Sequence, residues 1–265
     1  IAELQVTPED MMQRFGKIIT EVNKLIVRMV PDEFKKDWMV DAQAGTVAFG
    51  SAYHNWATSL PFMAKKNVNF KQIYEFMEKE QKKELAQAAP LHEVLLDMIV
   101  EKLPSADTAQ KYRIPHIWRG EAEEEIGQSM VNANADGDSA FMVTKVVLDP
   151  HAGEIAVGRL FSGSIKKGDQ MYVAGMPNAN RVQSVGMFVG GDRIATETVT
   201  AGNIIAVSGL RDAQSGSTIS SNKEMTPFER IVHNSDPVVT TAIEAKHTKD
   251  LPKLVEVLRA VAKSD

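Results

Sequence analysis

The chain has 265 residues, 43% hydrophobic and 25% charged, which is ordinary globular composition and allows one large or two ordinary domains with real cores. A net charge of −5 excludes nucleic-acid binding through the overall field, so any RNA contact must come from a local basic patch. Cysteine is absent, which excludes disulfides, thiolate nucleophiles and zinc–thiolate sites, and no apolar run approaches the ~20 residues of a membrane-spanning helix.

The first segment reads as helical. Thr7-Pro8-Glu9-Asp10 is a helix start, with a hydroxyl N-cap, proline in the first turn and acids at the positive end of the dipole. Met11, Phe15, Ile18, Ile19, Val22, Leu25, Ile26 and Met29 follow at helical spacing, a stripe expected to face a core, and Pro31 ends it. Thr46-Val47-Ala48-Phe49, closed by Gly50, reads as a lone buried strand. Asn69 with Gln72 forms a capping box ahead of Phe70, Ile73, Phe76 and Met77. Leu91, Val94, Leu95, Met98, Ile99 and Leu103 mark a further amphipathic helix, stopped at Leu103-Pro104-Ser105. One strand among helices predicts part of an α/β layer.

From Ala106 to Gly137 the pattern is irregular. Glu121, Glu123, Glu124 and Glu125 are expected to be a solvated linker or helix face rather than a metal site. Near Ala140 the period becomes two and glycine becomes frequent. Residues 141–147, 155–161, 170–173, 181–185 and 203–207 are strand candidates separated by short turns, which predicts a small β-barrel or sandwich of roughly six strands. Residues 237–244 read as one more strand, and Asp250 as the cap of a helix carrying Leu254, Val255, Leu258 and Val261.

No complete catalytic site is visible. Gly163 and Gly168 have P-loop spacing, but Asp169-Gln170 follows them, so both read as turn residues. His92-Glu93 lacks a second histidine at zincin spacing. His54, His116, His151, His233 and His247 are scattered, and no G-x-S-x-G elbow is present. Catalytic and metal residues are therefore read as none. Gly50-Ser51-Ala52, at the carboxyl end of the expected strand, could let a backbone N–H approach a planar base, but an ordinary strand-to-helix turn has the same residues.

Longer stretches carry more. Val47-Ala48-Phe49-Gly50-Ser51-Ala52-Tyr53-His54-Asn55-Trp56-Ala57 resembles the fifth guanine-nucleotide motif of the elongation factor 2 family, the ribosomal translocase GTPases. Ala89-Pro90-Leu91-His92-Glu93-Val94-Leu95-Leu96-Asp97-Met98 resembles the last helix of that family's GTPase domain. Lys111-Tyr112-Arg113-Ile114-Pro115-His116-Ile117-Trp118 looks like the archaeal form of the next connection. Asp149-Pro150-His151-Ala152-Gly153-Glu154 and Gly158-Arg159-Leu160-Phe161-Ser162-Gly163 look like its second-domain barrel. Ala242-Ile243-Glu244-Ala245-Lys246 and Thr248-Lys249-Asp250-Leu251-Pro252-Lys253-Leu254 look like the opening of its third domain.

The resemblance implies an internal stretch of a multidomain α/β plus β protein. Residues 1–105 would be the C-terminal part of a P-loop GTPase domain. Residues 106–222 would be a linker and the translation-factor barrel, and residues 223–265 a linker with the first strand and helix of a ferredoxin-like α+β domain. It implies a cytoplasmic parent protein that uses GTP or GDP with magnesium and couples hydrolysis to movement of tRNA and mRNA. Its P-loop, switches and N-K-x-D element would precede Ile1, leaving this stretch inactive and without a bound cofactor. Gly50, Ser51 and Ala52 would be the guanine-contacting turn. The barrel would meet small-subunit ribosomal RNA and the GTPase switch region, with Arg159, Lys166, Lys167, Arg181, Arg193 and Arg211 as the local basic candidates, although spacing alone says solvated charges. Cut edges near Val47 and Val238 are expected to favour self-association. Two rivals remain: a related spliceosomal or ribosome-maturation GTPase, and a free-standing RNA-binding barrel. The expected lone strand, whose edges would go unpaired, speaks against the second.

Overall fold

A computed structural model describes residues 7–149, 152–231 and 238–264, in two units, Ile1–Leu103 and Pro104–Asp265. In the first unit Thr7 does open a helix: its hydroxyl accepts from the backbone N–H of Asp10 at 3.2 Å, and helix α1 runs Pro8–Met29. The apolar stripe is not core-facing as expected. Ile18, Leu25 and Met29 are 56%, 59% and 76% exposed. Met11, Phe15, Ile19 and Ile26 are half-buried, and the Phe15 ring lies 4.7 Å from that of Phe49. Periodicity reports an amphipathic face; burial also needs a partner element. Helix α2 (Asp32–Trp38) follows, and the Asn23 side chain clamps Val40 with two backbone hydrogen bonds of 2.9 and 2.8 Å.

The expected buried strand at 46–49 is displaced and is not alone. Strand β1 is Phe49–Ser51, half-buried, and pairs antiparallel with β2 (Trp56–Thr58) through Phe49–Thr58, Gly50–Ala57 and Ser51–Trp56. The objection to a free-standing barrel protein that rested on unpaired edges therefore falls. Helices α3 (Leu60–Lys66), α4 (Phe70–Glu78), α5 (Lys82–Ala88) and α6 (Leu91–Lys102) complete the unit. The Asn69–Gln72 capping box forms with bonds of 2.9 and 3.0 Å. Trp56, Ala57, Phe62, Ile73, Met77, Leu85, Ala89 and Val94 make one small core. Of the expected face of α6, Val94 is buried, whereas Leu95, Ile99 and Leu103 are exposed.

In the second unit the stretch read as irregular holds two helices, α7 (Ala106–Ile117) and α8 (Glu125–Val131), the latter starting within the glutamate cluster. The strands are β3 (Ala140–Asp149), β4 (Gly153–Ser162), β5 (Ser164–Lys166), β6 (Gln170–Val173), β7 (Ala179–Arg181), β8 (Ser184–Val189), β9 (Asp192–Thr196), β10 (Thr198–Thr200), β11 (Ile204–Ser208) and β12 (Thr218–Ser220). Eight of them form an antiparallel sheet ordered β7-β6-β12-β3-β4-β11-β8-β9, and β10 and β5 form a ribbon. The count exceeds the roughly six expected, because residues 181–185 are not one strand and four short strands carry too few residues to show alternation.

Both sheets feed one core: Phe141, Val143, Leu160, Ile165, Met171, Val199, Ile205 and Ile219 are buried together. Strand β4 is covered on both faces. Ala156 and Leu160 point into this core, Ile155 and Val157 into a second cluster, and Phe161 into a third with Ile114, Trp118, Met130 and Phe228. Helices α7 and α8 thus seal the outside of the sheet. Gly163 and Gly168 sit at φ +73° and +97°, the left-handed turns that their sequence context predicts. The expected strand at 237–244 does not form in its described part, 238–244; Val238 is fully exposed, and no strand among the described residues pairs with it. Pro237 lies outside the described residues, as do Pro150, His151 and His233. A 3-10 turn, Thr248–Asp250, leads into helix α9 (Leu251–Ser264).

Candidate functional sites

Gly50 and Ser51 lie within β1 and not beyond its end, and the connection leads to another strand instead of a helix. The chain reverses over Ala52-Tyr53-His54-Asn55, closed by a 3.1 Å bond from Asn55 N–H to the Ala52 carbonyl, with Asn55 in the left-handed region at φ 55°. The Ser51 hydroxyl accepts from the His54 N–H at 3.3 Å. The far edge of β2 is held too: Ala57 N–H donates to Ala89 at 3.0 Å, and Leu91 N–H to Asn55 at 3.2 Å. At Gly50 a Cβ would stand 2.5 Å from the Trp56 carbonyl oxygen, so only glycine permits this approach of the strands.

Gly50 and Ser51 line a hollow of ≈ 510 Å³ walled by the rings of Phe15, Phe49, Trp56 and Phe70; Ala52 is not part of its wall. Trp56 is 6% exposed, and its indole N–H has no hydrogen-bond partner among the described residues. The three residues of the expected guanine turn therefore do stand together at one hairpin end. What they offer is backbone groups and one hydroxyl, with no phosphate-binding element in this unit's described residues to add to them.

The six basic candidates separate. Arg159, on β4, is partly buried. Its guanidinium lies 5.7 Å from the Phe161 ring centroid and donates to the Gln110 side-chain oxygen at 3.5 Å. Burial lowers its proton affinity, and the charge of Arg113 adds to the effect. Arg193 donates to the Ser184 hydroxyl at 3.0 Å. Lys166 ends β5, where its backbone N–H donates to the Asp169 carboxylate at 2.9 Å. Lys167, Arg181 and Arg211, by contrast, line one hollow of ≈ 820 Å³ beside the β5–β6 turn, together with Asn180. Sequence reasoning passed over Asn180: an asparagine before an expected strand reads as a turn residue, and nothing local shows that it is 8% exposed.

Residues 153–220, which span β4 to β12 of the barrel, match the family model described as "Elongation factor Tu domain 2". Over all 265 residues the chain is 57% identical to elongation factor 2 of Methanosarcina thermophila and 54% identical to that of Picrophilus torridus, covering 36% of each. It is 53% identical to elongation factor 2 of Methanococcus maripaludis, covering 37%. From end to end the chain matches elongation factor 2. It spans a little over a third of the length of these relatives. The strands β4 to β12 thus match a translation-factor second domain, and the similar elongation factors 2 are archaeal. Among the described residues no helix is long and apolar enough to cross a membrane.

Proposed function

We propose that this stretch serves an elongation factor 2 that couples GTP hydrolysis to translocation of tRNA and mRNA on the ribosome, supplying the docking barrel and the last guanine-contacting turn. The observation that carries the proposal is the end-to-end identity with elongation factor 2, with the barrel in register with the matched second domain. It favours this function over a spliceosomal or ribosome-maturation GTPase and over a free-standing barrel. Residues 1–105 would close a P-loop GTPase domain, residues 106–222 would be linker and barrel, and residues 223–265 would open a ferredoxin-like domain.

GTP or GDP with magnesium belongs to the whole factor. The Ser51 and Ala52 backbone would touch the guanine edge while phosphate contacts come from elsewhere. One such hydrogen bond contributes about 0.5–1.5 kcal/mol net, too little to hold a nucleotide. Small-subunit RNA would meet the barrel through members of the Arg159, Lys166, Lys167, Arg181, Arg193 and Arg211 set, and the GTPase switch region would meet it from the factor's own chain. Domain rotation gated by the nucleotide would then move the tRNAs. The setting is the cytoplasm. Self-association would run through exposed residues such as Val238 and Val239.

The test is a graft. This stretch replaces the matching stretch of the Methanosarcina thermophila factor, and GTP-dependent translocation is measured on archaeal ribosomes. Translocation near the parental rate is expected. A soluble, folded chimera that hydrolyses GTP on ribosomes yet fails to translocate would contradict the proposal.

A further inference from the structure

The hollow beside the β5–β6 turn brings together groups that are far apart in the chain. Lys167 comes from the turn itself, Asn180 and Arg181 from edge strand β7, and Arg211 from the segment after β11. The backbone fixes their places. Gly168 N–H donates to the Val182 carbonyl and Val182 N–H to the Asp169 carbonyl, both at 2.9 Å, and Gln183 N–H donates to the Ser208 carbonyl at 2.9 Å. A Cβ on Gly168 would lie 3.9 Å from an Arg181 guanidinium nitrogen, so that cation rests over the bare turn.

Asn180 is the telling residue. Its side-chain oxygen accepts from the Arg211 backbone N–H at 3.2 Å, which fixes the orientation of the amide. Its NH₂ group then faces no acceptor among the described residues and is buried. A buried, unsatisfied donor costs free energy unless something fills the need. Here it lines a hollow with three cations.

Among the described residues neither Lys167 nor Arg181 is ion-paired. The Lys166 backbone N–H orients the Asp169 carboxylate without neutralising it, and Glu154 lies with Arg211 at the adjoining hollow. Lys167 and Arg181 are therefore the charges available to a ligand, and with Arg211 they outnumber Asp169 at this hollow. Cations around a spare amide donor suit a tetrahedral oxyanion with several acceptor oxygens, not a planar apolar ligand.

We propose that this hollow is a phosphate-binding site, with Lys167 and Arg181 pairing the charge and Asn180 donating its unused N–H. A phosphodiester of an RNA chain and a free phosphate compound share that chemistry. The first would narrow the docking surface to three of the six basic candidates.

Two probes tell them apart on the full 265-residue chain: a labelled single-stranded oligouridylate followed by anisotropy, and inorganic pyrophosphate followed by calorimetry. The variants are Lys167→Gln with Arg181→Gln, and Asn180→Asp, which keeps the oxygen that Arg211 needs and replaces the donor with a negative charge. Thermal melts confirm that each variant stays folded. RNA binding that is weakened at least tenfold in both variants supports the site with RNA as its source. In the double variant the log–log salt slope should become shallower by about 0.7 per lost contact. Pyrophosphate binding without RNA binding, lost in the same variants, supports the site with a free phosphate compound as its source and counts against the RNA role of the barrel. RNA binding unchanged in both folded variants overturns the site and leaves Arg159, Lys166 and Arg193 to account for docking. No binding of either probe by the unmodified chain overturns the site as well.

Discussion

The side-chain amide of Gln110, on α7, donates to the backbone carbonyl of Phe161, on β4, at 2.9 Å. The same nitrogen donates to the carbonyl of Met130 on α8, so one fully buried side chain ties both helices to the barrel strand they cover. Gln110→Leu keeps comparable bulk but removes the donor to the buried Phe161 carbonyl, whereas the Met130 carbonyl still accepts from the Ala133 N–H at 3.2 Å. We expect a loss of about 1–3 kcal/mol, read as a lower urea midpoint with unchanged m. A variant as stable as the original would mean that the helices are held by apolar packing alone.

Trp118 ties the other end of α7. Its indole N–H donates to the Thr226 carbonyl at 2.7 Å, and its backbone pairs with Phe228. Trp118→Phe should cost at least the hydrogen bond, about 0.5–1.5 kcal/mol. The neighbouring Arg119–Glu229 pair, 3.4 Å apart and exposed, should behave differently: Glu229→Gln should change stability by less than about 0.5 kcal/mol. Equal losses in the two variants would contradict this ranking.

Asp107, in the first turn of α7, predicts an acid response. The Ser105 hydroxyl, and after it the Thr108 N–H, hold its carboxyl below the ordinary 3.8. A carboxyl with a depressed folded pKa stabilises the fold above its unfolded value, and that contribution is lost as pH falls through the folded one. NMR titration of the side chain should give a midpoint below 3.8, and Ser105→Ala should raise it. An unchanged midpoint in Ser105→Ala would remove the hydroxyl as the main cause.

For the guanine turn the prediction is mostly negative. The chain alone should neither bind a fluorescent guanine nucleotide in the presence of magnesium nor hydrolyse GTP. Gly50→Ala should force β1 and β2 apart, since the added carbon meets the Trp56 carbonyl oxygen at 2.5 Å, and should lower the melting temperature of the first unit. Clear micromolar binding would point to a nucleotide site that the hairpin geometry does not explain.

What could be read from sequence divides by range. The Thr7 cap and the Asn69–Gln72 box are interactions within one helical turn, and both form as their spacing predicts. Strands β3, β4, β6 and β11 show through alternation and turn glycines. Burial of the α1 stripe did not follow, because it depends on elements that periodicity cannot supply. Helix α7 was missed for a local reason: its buried residues, Gln110 and Ile114, make no apolar stripe, and Pro115 looks like a stop. Strands β5, β10 and β12 have three residues each, too few for a period of two to register. At the sites, Gly50, Ser51 and Ala52 stood out by resemblance alone. The six cations could be named from sequence but not sorted, since Lys167, Arg181 and Arg211 meet only when the β5–β6 turn, β7 and the segment after β11 are folded side by side.

The central claim, that this barrel docks an elongation factor 2 on the ribosome, is tested most directly by co-sedimentation of the chain with purified archaeal small ribosomal subunits over a salt series. Binding at low salt that falls steeply and log-linearly with salt is predicted, as for contacts to a phosphate backbone. A chain that stays folded yet remains in the supernatant at the lowest salt, or pellets equally at every salt, would contradict it.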